Sequence, residues 1–259
     1  MFQSLSSLSE LNHEHILNVV NGQSFGIHIK NFCPIETVEH AKDVLYQHQS
    51  QTMLDASTPY VRIGKGLIEI KNETDRAHYH EVALDNIRLI RNSFKPYASP
   101  IDQLRLLLDE VWPTGAKLLQ VNGKKCFVGI CRFQRAGMDL IPHTDKLERN
   151  TPSHDQSELL KQLSVNIYLE IPEHGGELEM WDIEPSEEEY LQLQGDRKYG
   201  LDRETLPPPA TSIKPQPGDL ILLNPRLIHA VRPSSDSVRV ALSAFVGYFG
   251  ENQPLAYWS

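Results

Sequence analysis

The stretch Gly218-Asp219-Leu220-Ile221-Leu222-Leu223-Asn224-Pro225-Arg226-Leu227-Ile228-His229-Ala230-Val231 carries most of the fold. It reads as a tight turn, an apolar strand, a second turn and a histidine on the next rung. Strand signals continue on either side. Upstream, Leu163–Ile171 (LSVNIYLEI) predicts a strong strand, His174-Gly175-Gly176 a turn and Glu177–Trp181 a further strand. Lys117–Val121 and Cys126–Phe133 predict two more, joined by the turn pair Asn122-Gly123. Downstream, Val238–Phe249 completes the set. Glu184 to Pro217 interrupts it with Glu187-Glu188-Glu189, Pro207-Pro208-Pro209, Pro215 and Pro217. That segment reads as an acidic, partly helical surface excursion, with a lid as the alternative.

Before residue 117 the pattern is mixed. Gly26–Phe32 alternates like a strand, and Ile35, Val38, Ala41, Val44 and Leu45 then recur at helical spacing. Tyr60–Ile70 reads as a hairpin around Gly64 and Gly66. A helix is expected from about Asp75 to Phe94, with Tyr79, Val82, Ala83, Ile87 and Ile90 as its apolar stripe. The next is expected to start at Ser99 as N-cap, with Pro100 in its first turn and Asp102 at its positive end, and to stop near Trp112. The expected class is therefore mostly β with N-terminal helices (α+β), in one domain of residues 1–259: a support region 1–116 and a catalytic core 117–250.

Composition excludes several roles. The 259 residues are 40% hydrophobic and 23% charged, enough to bury a core without staples. Lys plus Arg number 25 against 34 Asp plus Glu, a formal charge of −9, which argues against nucleic acid or anionic membrane as partner. Cys33, Cys126 and Cys131 show no disulfide or C-x-x-C spacing and read as buried reduced thiols. Neither a signal-peptide pattern nor an apolar run long enough to span a bilayer is found, so a cytoplasmic location is expected.

Among the eleven histidines, His13, His15, His28, His40, His48, His78, His80, His154 and His174 read as ordinary surface or core residues. His143 and Asp145 differ. They follow a predicted strand in Leu140-Ile141-Pro142-His143-Thr144-Asp145, and residues two apart in an extended segment point to one side. With His229 as third ligand they make two imidazoles and a carboxylate, the facial triad of non-haem iron(II) oxygenases. Such a triad leaves positions open for a 2-oxo acid and for dioxygen. Arg239 lies ten residues after His229, on a strand whose alternation groups it with Ala241 and Ser243. A buried guanidinium needs an acceptor, and the distal carboxylate of 2-oxoglutarate supplies one through two parallel hydrogen bonds, with the Ser243 hydroxyl as a second donor.

The ordered set H-T-D (143–145), H-G-G-E-L (174–178), P-G-D-L-I-L-L-N-P (217–225), H-A-V (229–231) and R-V-A-L-S (239–243) resembles the iron(II)/2-oxoglutarate oxygenases of the prolyl-4-hydroxylase-like branch over roughly residues 117–250. The resemblance implies a double-stranded β-helix, a cupin-like jelly roll, with the metal at its mouth. It implies iron(II) on His143, Asp145 and His229, with 2-oxoglutarate on Arg239 and dioxygen as oxidant. The family often has Tyr where this chain has Phe133, which puts a phenolic contact in doubt; Asn166 is a candidate to face the co-substrate instead. Leu84-Asp85-Asn86-Ile87-Arg88 and Asp109-Glu110-Val111-Trp112-Pro113 are similar to bacterial enzymes that halogenate or hydroxylate free amino acids, the lysine halogenase type.

That second resemblance implies hydroxylation of an unactivated C–H bond in a small molecule, a free amino acid such as lysine or another polar one. In the halogenating relatives the position of Asp145 is Gly, so hydroxylation is expected here. Arg62, Arg76 and Trp258 are candidate substrate contacts, each with a structural or surface role as its alternative. Two other functions stand beside this one: a hydroxylase of a residue within a protein or peptide, and a non-catalytic metal-binding cupin-like protein holding zinc.

Overall fold

A computed structural model describes residues 1–51, 61–70, 72–150 and 158–259. Tyr60, at the edge of the expected hairpin, and His154 lie outside the described residues. The first part of the chain runs β1 (Phe2–Leu5), α1 (His13–Val20), β2 (Gly26–Ile29), α2 (Ile35–Gln51), β3 (Val61–Ile63), α3 (Glu73–Ser93) and α4 (Pro100–Val111). The second part holds β4 (Ala116–Leu118), β5 (Gln120–Val121), β6 (Lys124–Lys125), β7 (Ile130–Gln134), β8 (Leu140–His143), α5 (Leu147–Asn150), β9 (Lys161–Glu170) and β10 (Leu178–Met180). It continues with α6 (Glu187–Gln194), β11 (Thr211–Ile213), β12 (Leu220–Leu223), β13 (His229–Val231), β14 (Arg239–Tyr248) and β15 (Leu255–Trp258).

The fold is mixed α and β, built on two larger sheets. Nine strands form one, in the order β1-β2-β12-β9-β14-β15-β4, with β7 pairing β14 and β3 pairing β7. Four strands form the other, in the order β11-β10-β13-β8. Alternation along the long central strands explains the layering. In β9, Leu163, Val165, Ile167 and Leu169 join the main core, whereas Ser164, Asn166 and Tyr168 line a cavity. The main core also takes the apolar stripes of the helices: Val38, Ala41 and Leu45 from α2, Tyr79, Ala83, Ile87 and Ile90 from α3, and Leu104 and Leu108 from α4. A second cluster joins Tyr168, Ile221, Leu223 and Ala241 of the large sheet to Leu178, Met180 and Val231 of the small one, so the sheets face each other across it.

Strands from residues 1–116 enter the large sheet: β2 pairs with β12 in register Leu220↔Ile29, and β3 pairs with β7. β15, past residue 250, pairs with both β14 and β4. Residues 61–70 do not form the expected hairpin. Val61–Ile63 pairs with β7, and Leu67–Glu69 is a single 3-10 turn, because a partner strand was already available in the sheet. Asn122 and Gly123 do form the expected turn, both at positive φ of 51° and 74°. Ile130 rather than Cys126 starts the following sheet strand. Ser99 occupies the N-cap position of α4, but its hydroxyl makes no cap bond and is buried without a partner. Pro100 and Asp102 hold that end, the latter bonded to Arg91 at 2.5 and 2.9 Å. All three cysteines are free and buried. No helix among the described residues is long and apolar enough to cross a membrane.

Candidate metal centre

β8 and β13 are antiparallel neighbours, and their register sets His143 directly opposite His229. Leu140 pairs with Val231, so β8 carries one extra residue in this short span, a bulge that includes Pro142. Proline has no N–H to place in a ladder, and bulges re-aim nearby side chains. The two imidazole rings stand 4.3 Å apart between centroids, tilted by 49°. Asp145 lies just past β8, and its backbone N–H donates to the Pro225 carbonyl at 2.8 Å, tying it to the turn that leads to His229.

Each imidazole is oriented by its second nitrogen. His143 Nδ1–H donates to the Ile141 carbonyl at 2.8 Å and His229 Nδ1–H to the Leu227 carbonyl at 3.0 Å. That assignment of tautomers leaves both Nε2 lone pairs for a cation. The two Nε2 atoms lie 3.8 Å from the two Asp145 carboxylate oxygens, one to each. All three ligand atoms lie within 4.8 Å of one another, close enough to share one ion with bonds of about 2.0–2.2 Å. Burial, then the nearby His143, push the His229 imidazole down to about 4, which keeps it the neutral ligand a metal requires.

The triad opens on a cavity of about 270 Å³, just below the usual range for small-ligand sites. Arg239 lies across it, on β14. Its Nη1 donates to Gln134 Oε1 at 3.2 Å, and its guanidinium carbon lies 5.0 Å from the Tyr168 ring centroid. The Arg239 Nε–H and the Tyr168 hydroxyl are both buried with no hydrogen-bond partner. Two orphaned buried donors on one cavity wall call for a shared acceptor, and a carboxylate fits. Burial raises the Tyr168 phenol above its ordinary value and Arg239 pulls it back, so the hydroxyl keeps the proton it would donate.

Ser243 and Asn166 are paired across β14 and β9 and both line the cavity. The Ser243 hydroxyl donates to Asn166 Oδ1 at 2.8 Å, so its proton is committed within the protein. Phe133 points away from the cavity into the core, 5.2 Å from the Tyr46 ring. A tyrosine there would point the same way; the phenol that faces the cavity belongs to Tyr168. Its signal was present, because LSVNIYLEI sets Tyr168 two residues beyond Asn166 on the same face. Among the expected substrate contacts, Arg62 is paired with Glu69 at 2.9 Å, Arg76 with Glu73 at 3.4 Å, and Trp258 is buried in the core beside Phe245. None of the three lines the cavity; Arg132, Gln134, Met138 and Tyr199 do.

Residues 184–217 pack against the centre. Leu201 N–H donates to the Pro142 carbonyl at 2.7 Å, and the Tyr199 ring lies 5.5 Å from the His143 ring at the mouth. Buried Lys146 donates to the Pro185 carbonyl and to Glu187, and Arg149 donates twice to Glu187. The other described histidines have ordinary tasks: His15 closes a capping box, His28 pairs with Asp219 at 2.7 Å and His80 meets the Lys125 carbonyl. His174 sits with Glu173 and Asp236 in a fully exposed group.

A family model described as carrier-protein-independent halogenase WelO5 matches residues 5–259. The chain is 24% identical over 201 residues to leucinostatins biosynthesis cluster protein S of Purpureocillium lilacinum, covering 73% of this chain and 80% of that protein. It is 27% identical over 150 residues to L-isoleucine 3(1)-dioxygenase of Pantoea ananatis, covering 53% of this chain and 48%, about half, of that one. The fold is shared with an N-substituted L-amino acid dioxygenase from Burkholderia ambifaria solved with alpha-KG. The TM-score is 0.65 at 17% identity, over 95% of this chain and 91% of that one.

Proposed function

The chain belongs to the carrier-protein-independent halogenase WelO5 family, and on that premise we propose that it is an iron(II)- and 2-oxoglutarate-dependent dioxygenase that hydroxylates a small molecule, a free or simply substituted amino acid. The observation that carries this reading is the pairing of the His143–Asp145–His229 cluster with two orphaned buried donors, Arg239 Nε and the Tyr168 hydroxyl, on the wall of one cavity. A zinc-binding protein without a co-substrate has no use for those donors. The cavity volume suits an amino acid better than a folded peptide segment, and the relative from Pantoea ananatis is a dioxygenase of a free amino acid. The two facing sheets are read as a double-stranded β-helix, and the whole of 1–259 as one catalytic unit.

His143, Asp145 and His229 would hold iron(II). Bound there, iron with 2-oxoglutarate and dioxygen supplies an oxidant able to take hydrogen from an unactivated C–H bond, with succinate and carbon dioxide as co-products. This chain's residues do the rest. Arg239, Tyr168 and the Asn166 amide orient the co-substrate's distal carboxylate. The Ile141 and Leu227 carbonyls fix which imidazole nitrogen faces the metal. Asp145 would decide the outcome: its carboxylate, as a ligand, would take a position that a halide needs, which favours hydroxylation within a family described by a halogenase.

The test is reconstitution with iron(II), 2-oxoglutarate and oxygen, with succinate release measured against free amino acids, substituted amino acids and peptides. A product heavier by one oxygen atom, unchanged in high chloride, is expected. Halogenated product from the unaltered protein would remove Asp145 from the ligand set. Succinate release only with peptides would move the reading to a protein hydroxylase.

A further inference from the structure

We propose that Tyr199 is a substrate-binding residue that selects for an apolar side chain: its ring walls the site at the metal, and the amino acid oxidised there presents hydrocarbon to it. This rests on the oxygenase reading above and names the substrate chemistry of the same site. Tyr199 lines the cavity and its ring lies 5.5 Å from the His143 ring, yet the residue is 53% exposed. A large ring left half in water at a cavity mouth gains by being covered with an apolar ligand. Tyr199 has other contacts within the protein, and the proposal asks for no free hydroxyl: the exposed ring is the surface offered.

The chain around Tyr199 is built to hold the ring there. Gly200 has a positive φ of 65°, and a Cβ on it would stand 2.5 Å from Ile141 Cδ1 and 3.0 Å from the Pro142 carbonyl oxygen. Only glycine lets the segment lie this close to β8, the strand that ends in His143. Leu201 then donates its N–H to the same Pro142 carbonyl at 2.7 Å and is fully buried in a cluster with Trp181, Tyr190, Ile228 and Ala230. Two residues on, Arg203 donates to Asp139 at 2.8 Å and also to the buried Glu179. A ring fixed beforehand loses little freedom when a ligand covers it, so more of the contact appears as affinity.

Register separates this end of the cavity from the co-substrate's end. In the small sheet His229 pairs with Met180 and Val231 with Leu178, and Gly176 N–H continues the ladder to the Arg232 carbonyl at 3.0 Å. Gly176 meets Arg239: a Cβ there would lie 3.9 Å from Arg239 Cδ. Met180 and Gly176 are four residues apart, about 13 Å at a rise of about 3.3 Å per residue, so the Arg239 side chain starts that far along from the level of His229. Tyr199 instead stands beside His143, which is level with His229. The large sheet has the same polarity. Leu223 ends β12 just before Pro225, whose carbonyl takes the Asp145 N–H. Ser164 pairs with Leu223 on one side and with Phe245 on the other, and Phe245 is six residues along β14 from Arg239. Tyr199, Leu223 and Phe245 thus give the metal end apolar walls beside the Ser164 hydroxyl, while Arg239 lies at the other end. An amide or ammonium held against those walls would lose water without gaining an equal partner.

The experiment uses the protein reconstituted with nickel(II), a metal for the same ligand types, and 2-oxoglutarate, under anaerobic conditions. Calorimetric titration compares L-alanine, L-2-aminobutyrate, L-norvaline and L-norleucine, free and N-acetylated, with L-lysine and L-glutamine in the same two forms. In one of the two forms, affinity is expected to rise about threefold to fourfold per added methylene, the worth of one buried CH₂. Norleucine is expected to bind about tenfold or more tighter than lysine or glutamine. Tyr199→Ala is expected to weaken norleucine about tenfold or more and to flatten the rise, and Tyr199→Phe to preserve both, each variant holding 2-oxoglutarate within roughly threefold of the parent. Lysine or glutamine binding as tightly as norleucine overturns the inference, as does the failure of every compound to bind protein that does bind 2-oxoglutarate. An unchanged norleucine affinity in Tyr199→Ala, or a loss in Tyr199→Phe as large as in Tyr199→Ala, equally overturns it, the latter by assigning the contact to the hydroxyl. Loss of 2-oxoglutarate binding in Tyr199→Ala would make the ring a support of the triad instead. Failure of the parent protein to bind 2-oxoglutarate at all would overturn the oxygenase reading together with this one.

Discussion

Each side chain in the cavity has a distinct debt, and the debts predict how variants behave. Arg239→Leu removes a charged donor aimed at a carboxylate, a contact worth about 2–4 kcal/mol, so the 2-oxoglutarate requirement should rise by roughly thirtyfold or more while the metal stays bound. Tyr168→Phe removes a single hydroxyl and should cost about 1.5–3 kcal/mol of co-substrate binding, read by the same titration. Ser243→Ala should change that affinity little, because the hydroxyl proton already goes to Asn166. An effect of Ser243→Ala as large as that of Tyr168→Phe would reassign the co-substrate's donor. His143→Ala or His229→Ala should abolish tight metal binding and turnover together; full activity in either would exclude that residue from the ligand set.

At the scale of elements, α6 is held by charge to Lys146 and to α5, the segment that follows Asp145. Glu187 takes hydrogen bonds from Arg149 and Lys146, which lower its carboxyl from 4.5 to about 2, Arg149 contributing most. A depressed carboxylate contributes stability above its unfolded value and loses it as pH falls through its folded value. Docking of α6 should therefore be intact above about pH 4.5 and weaken between pH 4.5 and 2. Amide exchange in Glu187–Gln194 should report it before the sheets unfold. Glu187→Gln should loosen the same segment at neutral pH, and exchange unaltered in that variant would mean that the buried cluster of Tyr190 and Leu201 with Trp181 and Ile228 holds the segment alone. The Glu187 contacts with Lys146 and Arg149 and the Tyr199 ring, 5.5 Å from the His143 ring, bring two parts of residues 184–217 close to the triad.

For the whole molecule, the helices of the first 116 residues and the sheets share one core, so unfolding should be a single cooperative transition. Tyr79 tests that coupling. Its hydroxyl donates to the Ser259 carbonyl at 2.8 Å and accepts from Phe127 N–H at 3.1 Å, joining α3 to the segment before β7 and to the residue after β15. Tyr79→Phe takes the hydroxyl acceptor from the buried Phe127 N–H, while the Ser259 oxygen keeps its bond from Leu67 N–H at 2.9 Å, a cost of about 1–3 kcal/mol, or roughly 2–4 °C of Tm for each kcal/mol. A separate early transition for the helices would show that they fold as their own unit.

The sequence by itself determined the strongest local signals: the long strand of 163–171, where Asn122-Gly123 turns, and which residue types have the chemistry of a metal ligand. Period-two alternation also put Ser164, Asn166 and Tyr168 on one face, because it depends only on the pleat of one strand. What stands opposite what was decided by tertiary structure. His143 and His229 are 86 residues apart, and only the β8–β13 register makes them neighbours. Phe133 was a poor guide for the same reason: which face of β7 meets the cavity is set by its pairing with β14, not by its own pattern. The hairpin expected at 60–70 likewise gave way because β7 offered Val61–Ile63 a partner from far along the chain. Local propensity ranks what a segment can do, while long-range pairing and burial choose among those options and thereby set the donors and charges that reach the cavity.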